Sequence, residues 1–156
     1  MPRSRSGSRV GRSSGRPYVI CHMVPSVDGR IVTRAWPLQR GLLSEYERTA
    51  ASFDADAWII GRISMEPYAG KAALPSSSGR VRIPRTDFVA RSDAPSYAIA
   101  IDPGGKLRWE SGSIGEEHAV TVLTEQVPDR YLAFLRSRGV SYLFGARGKA
   151  RGRPGT

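Results

Sequence analysis

The 156-residue chain has one cysteine, two histidines and few acids, and no apolar run in it approaches the length of a membrane span. Cys21 has no second cysteine to pair with, so an internal disulfide is excluded and a reducing compartment is expected. His22 and His118 stand without a cysteine cluster, so no metal site is read from them. No secretory apolar region follows the basic start. A cytoplasmic protein with no membrane partner is the expectation.

The shortage of acids has a location. Lys and Arg number 24 against 14 Asp and Glu, a net charge of +10. Residues 1–16 hold Arg3, Arg5, Arg9, Arg12 and Arg16 and no acid, and residues 145–156 hold Arg147, Lys149, Arg151 and Arg153 and no acid. These nine cations leave +1 for residues 17–144. The charge therefore describes two basic tails rather than a basic groove, and nucleic acid is not the expected partner of the folded part. Residues 1–16, with a single Val among Ser, Arg and Gly, cannot offset their ordering entropy and are expected to be disordered. Residues 145–156 contain only Gly, Ala, Arg, Lys, Pro and Thr, and read as a second disordered tail behind a domain cut short after Phe144.

Between the tails an α/β domain is expected over residues 17–144. Residues 18–24 are a continuous apolar run, expected to be a central strand, with His22 as a hydrogen-bonded core residue. Pro25 ends it, and Asp28-Gly29 marks a turn. In open α/β sheets the loops after the strands bind ligands, so Ser26 and Asp28 would face a pocket, with Trp36 lining it. The alternatives are a plain turn and a tryptophan that covers the core. Residues 42–53 predict an amphipathic helix with Leu43, Tyr46, Ala50 and Phe53 on one face and a capping box from Ser44 to Glu47. With the strand at 57–60 it would complete a βαβ unit.

The segment Ala57-Trp58-Ile59-Ile60-Gly61-Arg62-Ile63-Ser64 predicts a buried strand, a sharp glycine turn and a helix beginning at Arg62 or Ile63. Free N–H groups at that helix start, the Arg62 fork and the Ser64 hydroxyl would together grip a phosphate, as in a nucleotide. An ordinary βα turn with a surface arginine accounts equally well for the same residues. Residues 70–96 are long for a structureless connection. They are read either as a substrate-side loop or as hiding a short element around Phe88-Val89. Strands are expected at 97–101, 119–123 and 140–144. A helix over 128–138 is signed by Pro128 at its first position, Asp129, Arg136, Arg138 and Gly139, and completes a second βαβ unit.

The order Ser26-Val27-Asp28-Gly29-Arg30-Ile31, helix, strand, then Gly61-Arg62-Ile63-Ser64-Met65-Glu66 resembles the dihydrofolate-reductase-like superfamily. It is most similar to the reductase domain of riboflavin biosynthesis, over roughly residues 17–144. The resemblance implies a mostly parallel central sheet flanked by helices, an NADPH cofactor, and hydride transfer to a ribosylaminopyrimidine or similar small substrate. It implies cofactor contacts from Gly29, Gly61, Arg62 and Ser64, with Ser26 and Trp36 on the substrate side. Asp28 would be catalytic, either bringing a proton, for which it would need burial, or holding a substrate hydroxyl. A homodimer is consistent with the resemblance. Three departures stand beside it. The later Gly-rich pyrophosphate loop is missing. Asp102 would repel a 2′-phosphate, which leaves NADP and NAD both open. The zinc signature of the deaminase that usually accompanies this domain is absent. Two other readings compete: a truncated, non-catalytic remnant that keeps part of the cofactor site, and a nucleic-acid binder acting through its Arg-rich tails.

Overall fold

A computed structural model describes residues 16–31, 40–75 and 82–145. Apart from Arg16 and Gly145, both basic tails lie outside the described residues, as does Trp36. The chain divides into two compact units, one ending at Phe53 and one beginning at Asp54. No helix among the described residues is long and apolar enough to cross a membrane.

In the first unit the expected central strand is not formed. Residues 17–26 carry no regular element, and Tyr18 and Val19 are exposed. An apolar run becomes a strand only where a neighbour takes up its N–H and C=O groups, and this unit offers no second strand among its described residues. The βαβ unit expected from residue 18 to residue 60 is therefore absent. The helix is present as α1, Arg40–Ala51. It begins before Ser44, whose hydroxyl donates to the Gly41 carbonyl at 3.0 Å from inside the helix, so the expected capping box does not form. His22 stacks on Tyr46 with ring centroids 4.2 Å apart and meets Phe53 edge-on at 5.4 Å. It is a packed aromatic contact, half-buried rather than a core residue.

The second unit contains the sheet. Its elements are β1 Ala57–Gly61, α2 Arg62–Ala69, β2 Tyr97–Ile101, β3 Ser113–Ile114, β4 Glu117–Leu123, α3 Asp129–Ser137 and β5 Ser141–Phe144. β1 pairs with β2, β2 with β4, and β4 with β5, all parallel. β3 folds back antiparallel on the start of β4 through a turn in which Gly115 has φ +59°. β2 occupies one edge of β4, so β3 and β5 share the other. The class is α/β with a mixed sheet. Its two crossover units are β1–α2–β2 and β4–α3–β5.

Register sorts the side chains. Trp58, Ile60, Ala98, Ala100, Ala119, Thr121, Leu123 and Tyr142 share one face, where Met65 and Ala69 of α2 and Leu132 and Leu135 of α3 close the core. Truncating a fully buried leucine such as Leu132 costs about 2–5 kcal/mol. The other face carries Ile59, Ile99, Ile101, Val122 and Leu143, and Ile59 is exposed.

The α3 signals hold with one shift: Pro128 is the N-cap and Asp129 the first helical residue. Gly139 has φ +67°, and the N–H groups of Gly139 and Val140 reach back to the carbonyls of Arg136 and Leu135. The short element expected near Phe88 exists. Phe88 and Tyr142 exchange two backbone hydrogen bonds of 2.9 Å, extending the sheet beyond β5.

Candidate functional site

Gly61 ends β1 and serves as the N-cap of α2 with no side-chain cap on the helix. Its φ of −73° and ψ of 160° are open to any residue, and the chain passes from strand to helix without a left-handed step. What a glycine contributes here is room, because a Cβ at this position would meet nothing within 4 Å. The first N–H groups of α2 have no partner within the helix and carry the positive end of the helix dipole. Arg62 pairs with Glu66 one turn on, so its guanidinium is held along the helix by an acid that an arriving anion would compete with. Ser64 is exposed on the first turn. The structure thus keeps Gly61, Arg62 and Ser64 together.

The parallel strands β2 and β4 end on the same side of the sheet as β1. There the expectation for Asp102 is overturned. Its side chain turns inward and is buried, with Oδ2 accepting the backbone N–H of Lys106 at 2.7 Å and of Leu107 at 2.9 Å. It folds its own turn and does not face an arriving 2′-phosphate.

In the first unit, Ser26, Asp28 and Gly29 form a closed turn. The Ser26 N–H donates to the Arg30 carbonyl and the Gly29 N–H to the Ser26 carbonyl, each at 2.8 Å. The Ser26 hydroxyl donates to Asp28, whose carboxylate also pairs with Arg30 at 2.9 Å. Gly29 has φ +78°, the conformation the turn requires. Asp28 is exposed, so the burial that a proton donor would need is not met. These residues engage one another, as in the plain-turn reading.

Three polar groups, two buried and one half-buried, were not singled out as such in the sequence. His118 Nε2 lies 2.7 Å from Ser141 Oγ, which accepts the Ala90 N–H at 2.9 Å. Burial lowers its pKa below the ordinary 6.5; the backbone hydrogen bond with Gly112 opposes that and the Arg91 charge adds to it. Tyr131 lies beside Asp102, and its hydroxyl pKa is raised by burial and by that carboxylate. Arg85 donates to the carbonyls of Ile83, Glu125 and Val127 and pairs with Asp129 at the start of α3. The available signal was polar residues inside otherwise apolar strands, such as His118 and Thr121 in β4. Among the described residues no group of three His, Cys, Asp or Glu side chains is arranged to hold a metal ion.

Compared with protein-family models, curated proteins and solved structures, the chain matches none.

Proposed function

We propose that this chain is an NADPH-dependent reductase of the dihydrofolate-reductase-like kind, closest to the riboflavin-biosynthesis reductase, acting on a ribosylaminopyrimidine or similar small substrate. In this reading the sheet of the second unit belongs to a dihydrofolate-reductase-like core. The observation that carries it is the β1–α2 turn: a parallel strand ends at a glycine with open space around it, beside a helix start that no side chain caps. Those features fit one phosphate of a dinucleotide.

NADPH bound there supplies the hydride. The residues supply position. The α2 N–H groups and the Ser64 hydroxyl donate to phosphate oxygens. Arg62, now paired with Glu66, would be the cation to hold the phosphate. The resemblance assigns a cofactor contact to Gly29 and substrate contacts to Ser26, Asp28 and Trp36. An exposed Asp28 is suited to holding a substrate hydroxyl rather than to delivering a proton.

Thermal melts with NADPH and NADH test the reading. A ligand at 100 times its dissociation constant stabilises the folded state by about 2.7 kcal/mol. Gly61→Val is the informative variant. Its φ and its surroundings accept the side chain, so the protein folds, while the isopropyl group fills the space the phosphate needs. The expected result is an upward shift with NADPH that Gly61→Val and Arg62→Ala each reduce. A cooperative melt that neither nucleotide moves would overturn the reductase and leave the non-catalytic remnant.

A further inference from the structure

We infer that the core of the second unit binds one buried water molecule beside Tyr131, where it bridges Asp102 Oδ1 and the indole N–H of Trp109.

Asp102, Trp109 and Tyr131 are each 1% exposed, so their polar atoms must find partners inside the protein. β2 buries Ala98 and Ala100, and Asp102 continues that alternation just past the strand. Trp109 and Tyr131 belong to the same core cluster as Ala100. Asp102 Oδ2 is fully engaged. It accepts the N–H groups of Lys106 and Leu107 and lies 3.2 Å from the Tyr131 hydroxyl. Asp102 Oδ1 has no hydrogen-bond partner among the described residues, and neither has Trp109 Nε1. Both lie around the same hydroxyl. Burial raises the Tyr131 pKa, and Trp109 pulls it the other way, as a donor beside the oxygen does. Leaving a buried donor and a buried acceptor unmatched costs more than a typical hydrogen bond contributes.

The two unmatched atoms are of opposite kind, and that selects the ligand. A carboxylate oxygen needs a donor, and an indole N–H needs an acceptor. A metal cation would satisfy only the first and an anion only the second. Water satisfies both at once. A lone pair takes the Trp109 N–H, one proton goes to Asp102 Oδ1, and the second goes to the Tyr131 oxygen. That oxygen can accept, because its single proton is already directed at Oδ2 and the Leu107 carbonyl, 3.1 Å away. Three partners is the usual number for a buried water. β2 contributes only the small side chains Ala98 and Ala100 to the core here, which leaves room for it. The water joins three elements. Asp102 belongs to the turn after β2 and Tyr131 to α3. Trp109 lies between Arg108, whose carbonyl accepts the Ala72 N–H at 3.1 Å, and Glu110, whose N–H donates to Ala69 of α2 at 2.9 Å.

Water-selective NMR of the full chain tests this. The Trp109 indole proton should show cross-peaks at the water frequency whose signs in laboratory-frame and rotating-frame experiments are opposite. That pattern marks a long-held neighbouring molecule rather than chemical exchange. Trp109→Phe identifies the signal by removing it. Tyr131→Phe separates water from relay through an exchanging hydroxyl: Asp102 and Trp109 remain in that variant, so the signal should persist. Oxygen-17 relaxation dispersion should count one fewer long-lived water in Trp109→Phe than in the unaltered chain. Circular dichroism of each variant confirms folding. An indole proton of the unaltered chain with no signal at the water frequency would overturn the proposal. So would a signal lost in folded Tyr131→Phe, since Trp109 would then address the hydroxyl directly, or an unchanged water count in folded Trp109→Phe.

Discussion

The Tyr131 hydroxyl lies 3.2 Å from Asp102 Oδ2 and 3.1 Å from the Leu107 carbonyl, so the first turn of α3 is tied to the turn that follows β2. The same carboxylate oxygen accepts two backbone N–H groups, and the Asp102 carbonyl accepts the N–H of Gly105, which sits at φ +64°. Replacing Asp102 with Ala orphans buried donors and should cost about 3 kcal/mol in urea denaturation, whereas Tyr131→Phe removes one hydroxyl and should cost about 1 kcal/mol. Equal effects from the two variants would mean that the carboxylate does not hold the turn.

His118 makes stability depend on pH near neutrality. Its folded pKa lies below 6.5 because it is buried, so below pH 6.5 the unfolded chain binds the extra proton. Its contribution is complete above that value, falls as the pH drops through 6.5 towards the folded pKa, and then levels off. Urea midpoints at pH 5, 6 and 7.5 should show the fall, and His118→Gln should remove this part of the slope. Ser141→Ala takes away the partner of Nε2 and the acceptor for Ala90, and should cost about 1–2 kcal/mol at pH 7.5.

A second, more acidic window belongs to Asp129. The hydrogen bond from Arg85 holds its carboxyl below the usual 3.8. The pair therefore stabilises the fold above that pH and ceases to as the pH falls through the lowered value. A carboxyl-detected NMR titration should find Asp129 back near 3.8 in Arg85→Ala. The same variant should melt at a lower temperature, since the carbonyls of Ile83, Glu125 and Val127 lose their donor.

Gly112 is a steric requirement. A Cβ there would stand 2.2 Å from the Gly139 carbonyl oxygen and 2.7 Å from its carbon. That backbone is the C-terminal turn of α3 and cannot yield without moving the helix, so Gly112→Ala should cost about 3 kcal/mol or more. Gly104, whose nearest neighbour would be a Lys106 side-chain carbon at 3.7 Å, is the control, and Gly104→Ala should change the urea midpoint by less than about 0.5 kcal/mol.

Most of the second unit was legible in its sequence. The strands at 57–60, 97–101 and 119–123 announce themselves as apolar runs between turn residues. α3 does so through Asp129 and Gly139, and even the small pairing at Phe88 leaves a trace. The β1–α2 turn was legible as a junction but not in its angles, since those depend on how the helix leaves the strand. Asp102 could not be read, because an aspartate closing a strand has the same letters whether it faces solvent or folds under its own turn.

What the sequence by itself determined is what a few neighbouring residues can decide: where helices begin and end, which runs are apolar enough for a strand, where glycine must adopt φ > 0, and that the charge lies in the tails. Tertiary structure alone decided that residues 18–24 go unpaired while a less apolar β5 completes the sheet. It also decided that His118 meets Ser141 across 23 residues. The physical reason is that a helix satisfies its backbone within itself, whereas a strand depends on a partner from elsewhere in the chain, and nothing in the run of letters names that partner.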